Sequence, residues 1–191
     1  PESGIATYYN EDGSVLYTGG VEKGLYAGEG KLYLEKNLLY EGEFAAGIYH
    51  GVGKLYQPEK KRILYEGSFE QGEFFGEGRL YDETTGNLLY QGNFYAGEYD
   101  GAGSLYDSVT KELIYEGNFR EGKYDGQGRL YSEGVLAYEG EFSLGMYNGK
   151  GIIYNLANGE IAYEGVIHKN VPMPQTESGQ AWAEEYGESF E

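Results

Sequence analysis

One pattern repeats six times along this chain. Aligned on its first tyrosine it reads Leu-Tyr-x-Gly-x-Phe-x-x-Gly-x-Tyr-x-Gly-x-Gly-x-Leu-Tyr, with small variations, and copies start at Tyr17, Tyr40, Tyr65, Tyr90, Tyr115 and Tyr138. A truncated seventh copy starts at Tyr163. Successive starts lie 23, 25, 25, 25, 23 and 25 residues apart. A period of that length marks an array of small units that each pack on their neighbours, rather than one irregular globule. Such an array excludes most enzyme architectures and moves the question from a reaction to a surface.

The pattern has the period of a strand. In the second copy Tyr40, Gly42 and Phe44 share one strand face, with Glu41 and Glu43 on the other. Tyr49, Gly51, Gly53 and Leu55 share a face of the next strand. Ala45-Ala46-Gly47-Ile48 between them has the length and the glycine of a hairpin loop. If Phe44 pairs with Tyr49, then Gly42 faces Gly51 and Tyr40 faces Gly53, and an aromatic ring lies across bare glycine backbone. Length differences of two residues fall between hairpins and keep each side chain on its face. The expected fold is all-β: an elongated, twisted antiparallel sheet of serial β-hairpins over residues 1–168, with partial copies at both ends. Residues 169–175, which include Pro172 and Pro174, read as a linker. Residues 176–191 read as a tail or short capping helix, because Trp182, Tyr186 and Phe190 recur four apart.

Charge narrows the partner. The net charge of −18 repels nucleic acid, which is bound by neutralising phosphates, and anionic lipid, which attracts basic clusters. A basic or amphipathic protein or peptide fits better, with long-range attraction that weakens in salt. The chain has no cysteine, and no apolar run approaches the ~18 residues of a membrane span. It begins at Pro1 rather than Met, which suggests an upstream segment and points to the cell envelope or export. No EF-hand loop, HExxH or P-loop occurs, so neither a cofactor nor a metal is expected.

The repeat core stands as Tyr65-Glu-Gly-Ser-Phe69-Glu-Gln-Gly72-Glu-Phe-Phe-Gly76-Glu-Gly78 and again as Tyr115-Glu-Gly-Asn-Phe119-Arg-Glu-Gly122-Lys-Tyr-Asp-Gly126-Gln-Gly128. These residues resemble the MORN repeat (membrane occupation and recognition nexus), over residues 16–167. The resemblance implies an all-β ribbon acting as a scaffold that binds protein partners, forms dimers or binds phospholipid. Phenylalanine where many copies carry tryptophan, and the slightly long spacing, resemble bacterial variants. The acidic charge departs from the lipid-binding members.

Three groups of residues are candidates for function. The aromatic face is the first. Its phenylalanines, such as Phe44 and Phe69, are expected to form the core that a repeat array must bury. Tyr49, Tyr65, Phe74, Tyr90, Tyr99, Tyr115, Tyr124, Tyr138 and Tyr147 are expected to line an open groove for a peptide. The alternative occupant is a carbohydrate of the cell envelope, with phospholipid disfavoured by charge. The second group is a ladder of Glu41, Glu66, Glu116, Glu139 and Glu164. Its plain reading is cross-strand pairing with Lys31, Lys54, Arg79 and Arg129. The third is catalytic. Asp100 and Asp125 occupy the same position in adjacent repeats, before Gly101 and Gly126, and read as turn residues; His50 and His168 occupy unrelated repeat positions. The chain is therefore read as non-enzymatic.

Overall fold

The structure is a computed structural model and describes residues 2–173. The capping-helix reading of residues 176–191 lies outside the described residues. The chain divides into two compact units: Pro1–Glu98 with Asp107–Lys111, and Tyr99–Tyr106 with the described part of Glu112–Glu191. The first holds β1 (Ser3–Tyr9), β2 (Val15–Glu22), β3 (Leu25–Leu34), β4 (Asn37–Ala45), β5 (Ile48–Gln57), β6 (Arg62–Glu70), β7 (Glu73–Tyr81) and β8 (Leu88–Tyr95). Each pairs antiparallel with the next in chain order. The second holds β9 (Glu98–Tyr106), β10 (Leu113–Arg120), β11 (Lys123–Ser132), β12 (Val135–Ser143), β13 (Met146–Tyr154), β14 (Ile161–His168) and β15 (Val171–Pro172), paired in the same way. The fold is all-β and built of serial hairpins, and no helix occurs among the described residues. Pairing runs on past His168, through a turn at Lys169–Asn170, into β15.

The hairpin inside each copy closes in two residues, while several connections between copies are longer. Ala46 and Gly47 have φ of 50° and 85°, the double positive φ of a type I′ turn, whose twist matches that of the strands it joins. The turn is also tied to the hairpin before it. The Gly47 amide donates to the Tyr26 carbonyl at 2.9 Å, and Gly72 repeats this to Tyr49 at 3.0 Å.

The register differs from simple alternation. Phe44 does pair with Tyr49, but Gly42 pairs with Gly53 rather than Gly51, and Tyr40 with Leu55. Between those pairs Glu43 alone faces His50, Gly51 and Val52, so β5 carries a bulge of two extra residues. Gly51 holds the bulge at φ 57°, in the left-handed region. An even excess leaves Tyr49, Gly53 and Leu55 on one face, which is why the face assignment survives the register change.

The core is a column of rings. Tyr40 is fully buried and stacks on Tyr49 with centroids 4.0 Å apart and planes 10° apart. Phe44 meets Tyr40 edge-on at 5.0 Å, and Phe69 of the next hairpin meets it edge-on at 5.2 Å. Stacked and edge-on pairs of this kind each contribute about 0.5–1.5 kcal/mol beyond the area they bury. The same stack recurs at Tyr65–Phe74, Tyr115–Tyr124 and Tyr138–Tyr147. Beneath it the Tyr40 ring lies against Gly53, where an added Cβ would stand 2.5 Å from Cζ. The expectation of rings lying over glycine backbone is thus met. The buried phenol is not left unsatisfied: Tyr40 donates to the Glu43 carbonyl at 2.9 Å, and Tyr65, Tyr115 and Tyr138 each donate to the carbonyl three residues on at 2.9 Å.

Candidate functional site

The first tyrosine of each copy is interior. Tyr65, Tyr90, Tyr115 and Tyr138, expected to line a groove, are all 0% exposed and belong to the core. The rings of Tyr65, Tyr115 and Tyr138 lie against glycine, and all four hydroxyls turn inward to a backbone carbonyl. Burial pushes the Tyr65, Tyr115 and Tyr138 phenols far up. The phenylalanines Phe44, Phe69, Phe94, Phe119 and Phe142 are likewise core, as expected.

The second aromatic of each copy remains at the surface. Tyr49 and Phe74 in the first unit, and Tyr99, Tyr124 and Tyr147 in the second, are half-buried. Tyr49, Phe74, Tyr124 and Tyr147 each lie stacked on a buried ring and meet core phenylalanines edge-on, and each stays partly exposed. Within a unit the rings recur every second strand, about 10 Å apart.

The opposite face is polar and cross-linked. Lys31 pairs with Glu41 at 3.2 Å, Arg79 with Glu66 at 3.5 Å, and Arg129 with Glu139 at 3.1 Å and Glu116 at 3.5 Å. Lys54 lies 3.9 Å from Glu66. The cross-strand reading of the glutamate ladder holds for Glu41, Glu66, Glu116 and Glu139. These exposed pairs contribute about 0–1 kcal/mol each. Sequence reasoning overlooked a third partner. Tyr56 donates to Glu41 at 2.6 Å, Tyr81 to Glu66 at 2.7 Å, Tyr131 to Glu116 at 2.8 Å and Tyr154 to Glu139 at 2.6 Å. The signal was present: the tyrosine closing each Leu-Tyr pair stands two residues beyond Lys54, Arg79 and Arg129, hence on their face. The bond shifts both partners. Burial, then the Glu41 carboxylate, pushes the Tyr56 phenol up to about 12. The Tyr56 hydroxyl, aided by Lys31, holds Glu41 below the usual carboxylate range, and Tyr154 with Arg129 does the same for Glu139.

Asp100 and Asp125 stand beside turns, as their residue type suggests. Asp100 accepts the Glu121 amide at 3.3 Å and Asp125 the Leu144 amide at 3.4 Å, each anchoring the turn of the next hairpin. Among the described residues no group of three His, Asp or Glu side chains is placed to hold a metal ion.

The family model for the MORN repeat matches residues 40–60, 65–84, 90–108, 115–134 and 138–154. The chain belongs to the MORN repeat family. MORN repeats are interaction modules for proteins or membranes, and the repeat itself is not catalytic. No curated protein matches the chain. The copy at Tyr17 falls outside the family match, and its sequence shows why: Val21 stands where the pattern has phenylalanine. Its geometry is nonetheless that of a MORN repeat. Tyr17 stacks on Tyr26 at 3.8 Å and donates to the Gly20 carbonyl at 2.7 Å, while Val21 is buried.

Proposed function

We propose that this MORN chain is a non-enzymatic scaffold that binds a protein or peptide through the half-buried second aromatics of each unit. One observation supports this reading above others: these rings are held rigidly by the fully buried rings beneath them, yet keep a surface to offer. Rigid aromatics lose little freedom on binding and are the residues that anchor interfaces. The net charge of −18 favours a basic, amphipathic partner and disfavours nucleic acid and anionic membranes.

The test uses an amphipathic Lys/Leu helical peptide and the whole chain, with binding followed by fluorescence. Binding is expected in the micromolar range and is expected to weaken at least tenfold from low to high salt. Tyr124→Leu and Tyr147→Leu together keep an apolar cover on the buried rings but remove the flat surface, and are expected to reduce binding at least tenfold. Equal affinity of that double variant, with an unchanged melting curve, refutes the assignment of the face.

A further inference from the structure

The polar face of the second unit carries an open groove of about 800 Å³. Its floor is a line of glycines in register across five strands: Gly117 pairs with Gly128, Gly128 with Gly140, Gly140 with Gly151, and Gly151 with Gly165. The groove therefore runs across β10–β14, perpendicular to the chain direction, roughly 19 Å over four strand spacings. One wall is the row Glu116, Arg129, Glu139, Ile152 and Glu164, one residue per strand, and Gln127, Lys150 and Val166 stand on the other. Tyr131 and Tyr154 hold Glu116 and Glu139 in place by hydrogen bonds, and Arg129 bridges the two carboxylates.

Three properties select a ligand class. First, the floor is backbone already paired on both sides, so it cannot accept an added peptide strand. Second, the wall offers its groups once per strand, about 4.8 Å apart, whereas an extended peptide advances about 3.3 Å per residue and falls out of step. A β-1,4-linked sugar ring advances about one strand spacing, so a linear glycan stays in step along the whole groove. Third, that wall runs Glu116, Arg129 and Glu139, then the apolar Ile152 before Glu164, a mixture that suits a ligand with hydroxyls at its edges and an apolar ring face. Each carboxylate accepts at up to about four positions and the guanidinium donates at five, which suits hydroxyls that both donate and accept. Three carboxylates against two cations leave little net field in the groove, which suits an uncharged ligand. The bare floor lets a sugar ring approach the backbone closely.

The geometry points to a groove for a neutral, linear β-1,4-linked polysaccharide, roughly five rings long, one per strand. This site is separate from the aromatic face and extends the function beyond protein binding. The experiment is calorimetric titration of the whole chain with cello-oligosaccharides and N-acetylated chito-oligosaccharides of two to six rings. Affinity is expected to rise with each ring up to about five and then level off, and to be unchanged between low and high salt. Arg129→Met with Glu139→Gln is expected to weaken binding at least tenfold, and Lys150→Ala, which leaves the Tyr–Glu bonds intact, at least threefold. Tyr124→Leu, on the other face, is expected to leave glycan binding unchanged, so failure here is distinct from failure of the peptide reading. No heat with either hexasaccharide at millimolar concentration overturns the proposal. So does equal binding by the groove variants, or salt-sensitive binding of the Lys/Leu peptide that those variants abolish.

Discussion

Replacing Gly53 with alanine tests the central packing device of the fold. The backbone of Gly53 is extended, so alanine brings no conformational strain of its own. Its Cβ, however, would stand 2.5 Å from Cζ and 2.7 Å from Cε2 of Tyr40, with the phenol oxygen closer still. The ring has nowhere to go. Tyr49 lies 4.0 Å above it, Phe44 and Phe69 close its edges, and its hydroxyl is held by the Glu43 carbonyl. Overpacking a filled core costs about 1–3 kcal/mol. Dislodging the phenol from its carbonyl adds about 1–3 kcal/mol for a buried group left unpaired. Stiffening the unfolded chain returns about 0.4–1 kcal/mol. The net loss is about 3 kcal/mol, which lowers the melting temperature by about 6–12 °C for a chain of this size. Thermal melts followed by circular dichroism supply the measurement, and a double-mutant cycle with Tyr40→Leu supplies the cause. Leucine removes the atoms that meet the new Cβ, so Gly53→Ala should cost little in that background, with a coupling of at least about 1.5 kcal/mol. Additivity within about 0.5 kcal/mol would show that the cost arises elsewhere than in the ring.

Two further expectations follow from titration. The buried phenols of Tyr40, Tyr65, Tyr115 and Tyr138 are raised, chiefly by burial, above the value of about 10 they have when unfolded. The folded chain then keeps protons that the unfolded chain releases, so stability falls as pH rises above about 10. Phenolate absorbance should rise in two stages, the second coinciding with loss of the β-sheet signal; a single stage with the sheet intact contradicts the burial assigned here. At the acid end, Glu41 and Glu139 are lowered first by Tyr56 and Tyr154 and then by their cations, so their contribution is present above about 4.5 and is lost as pH falls through the folded values. Tyr56→Phe and Tyr154→Phe should bring these carboxyls back towards about 4.5 in carboxyl NMR titrations, at a cost near 1 kcal/mol or less; unmoved titrations would remove the phenols as the cause.

Much of the fold was legible because side-chain alternation is a local property. The phase of Tyr, Gly and Phe identifies the strands, and the glycine of Ala46–Gly47 marks the turn. The alternation also predicts that Lys31 and Arg79 meet the glutamate ladder across the strands, as they do. Register was less legible. A bulge at Gly51 depends on a left-handed glycine in mid-strand, and nothing in the residue type separates that glycine from Gly53, which is extended and lies under a ring. Depth was the least legible. Tyr40 and Tyr49 share a face, so alternation alone treats them as equivalent and assigns both Tyr65 and Tyr124 to one surface. Which ring lies underneath is decided by contact between hairpin strands: the tyrosine of Tyr-x-Gly reaches the bare backbone of the neighbouring strand, and the later ring stacks on it.

The chain itself separates structural hydroxyls from available ones. Tyr17, Tyr40, Tyr65, Tyr90, Tyr115, Tyr138 and Tyr163 all carry the first-position phenol, and each donates to the carbonyl three residues on. A phenylalanine there would remove this bond from each ring. The second position is different. Phe74 stacks on Tyr65 at 3.9 Å and 8°, the geometry Tyr124 has on Tyr115 at 3.9 Å and 11°. A ring without a hydroxyl fills that place equally well, so packing does not require the phenol at Tyr49, Tyr124 or Tyr147. Burial still raises the Tyr49, Tyr124 and Tyr147 phenols, so in the reading proposed above their half-buried hydroxyls are the ones that packing leaves to a partner.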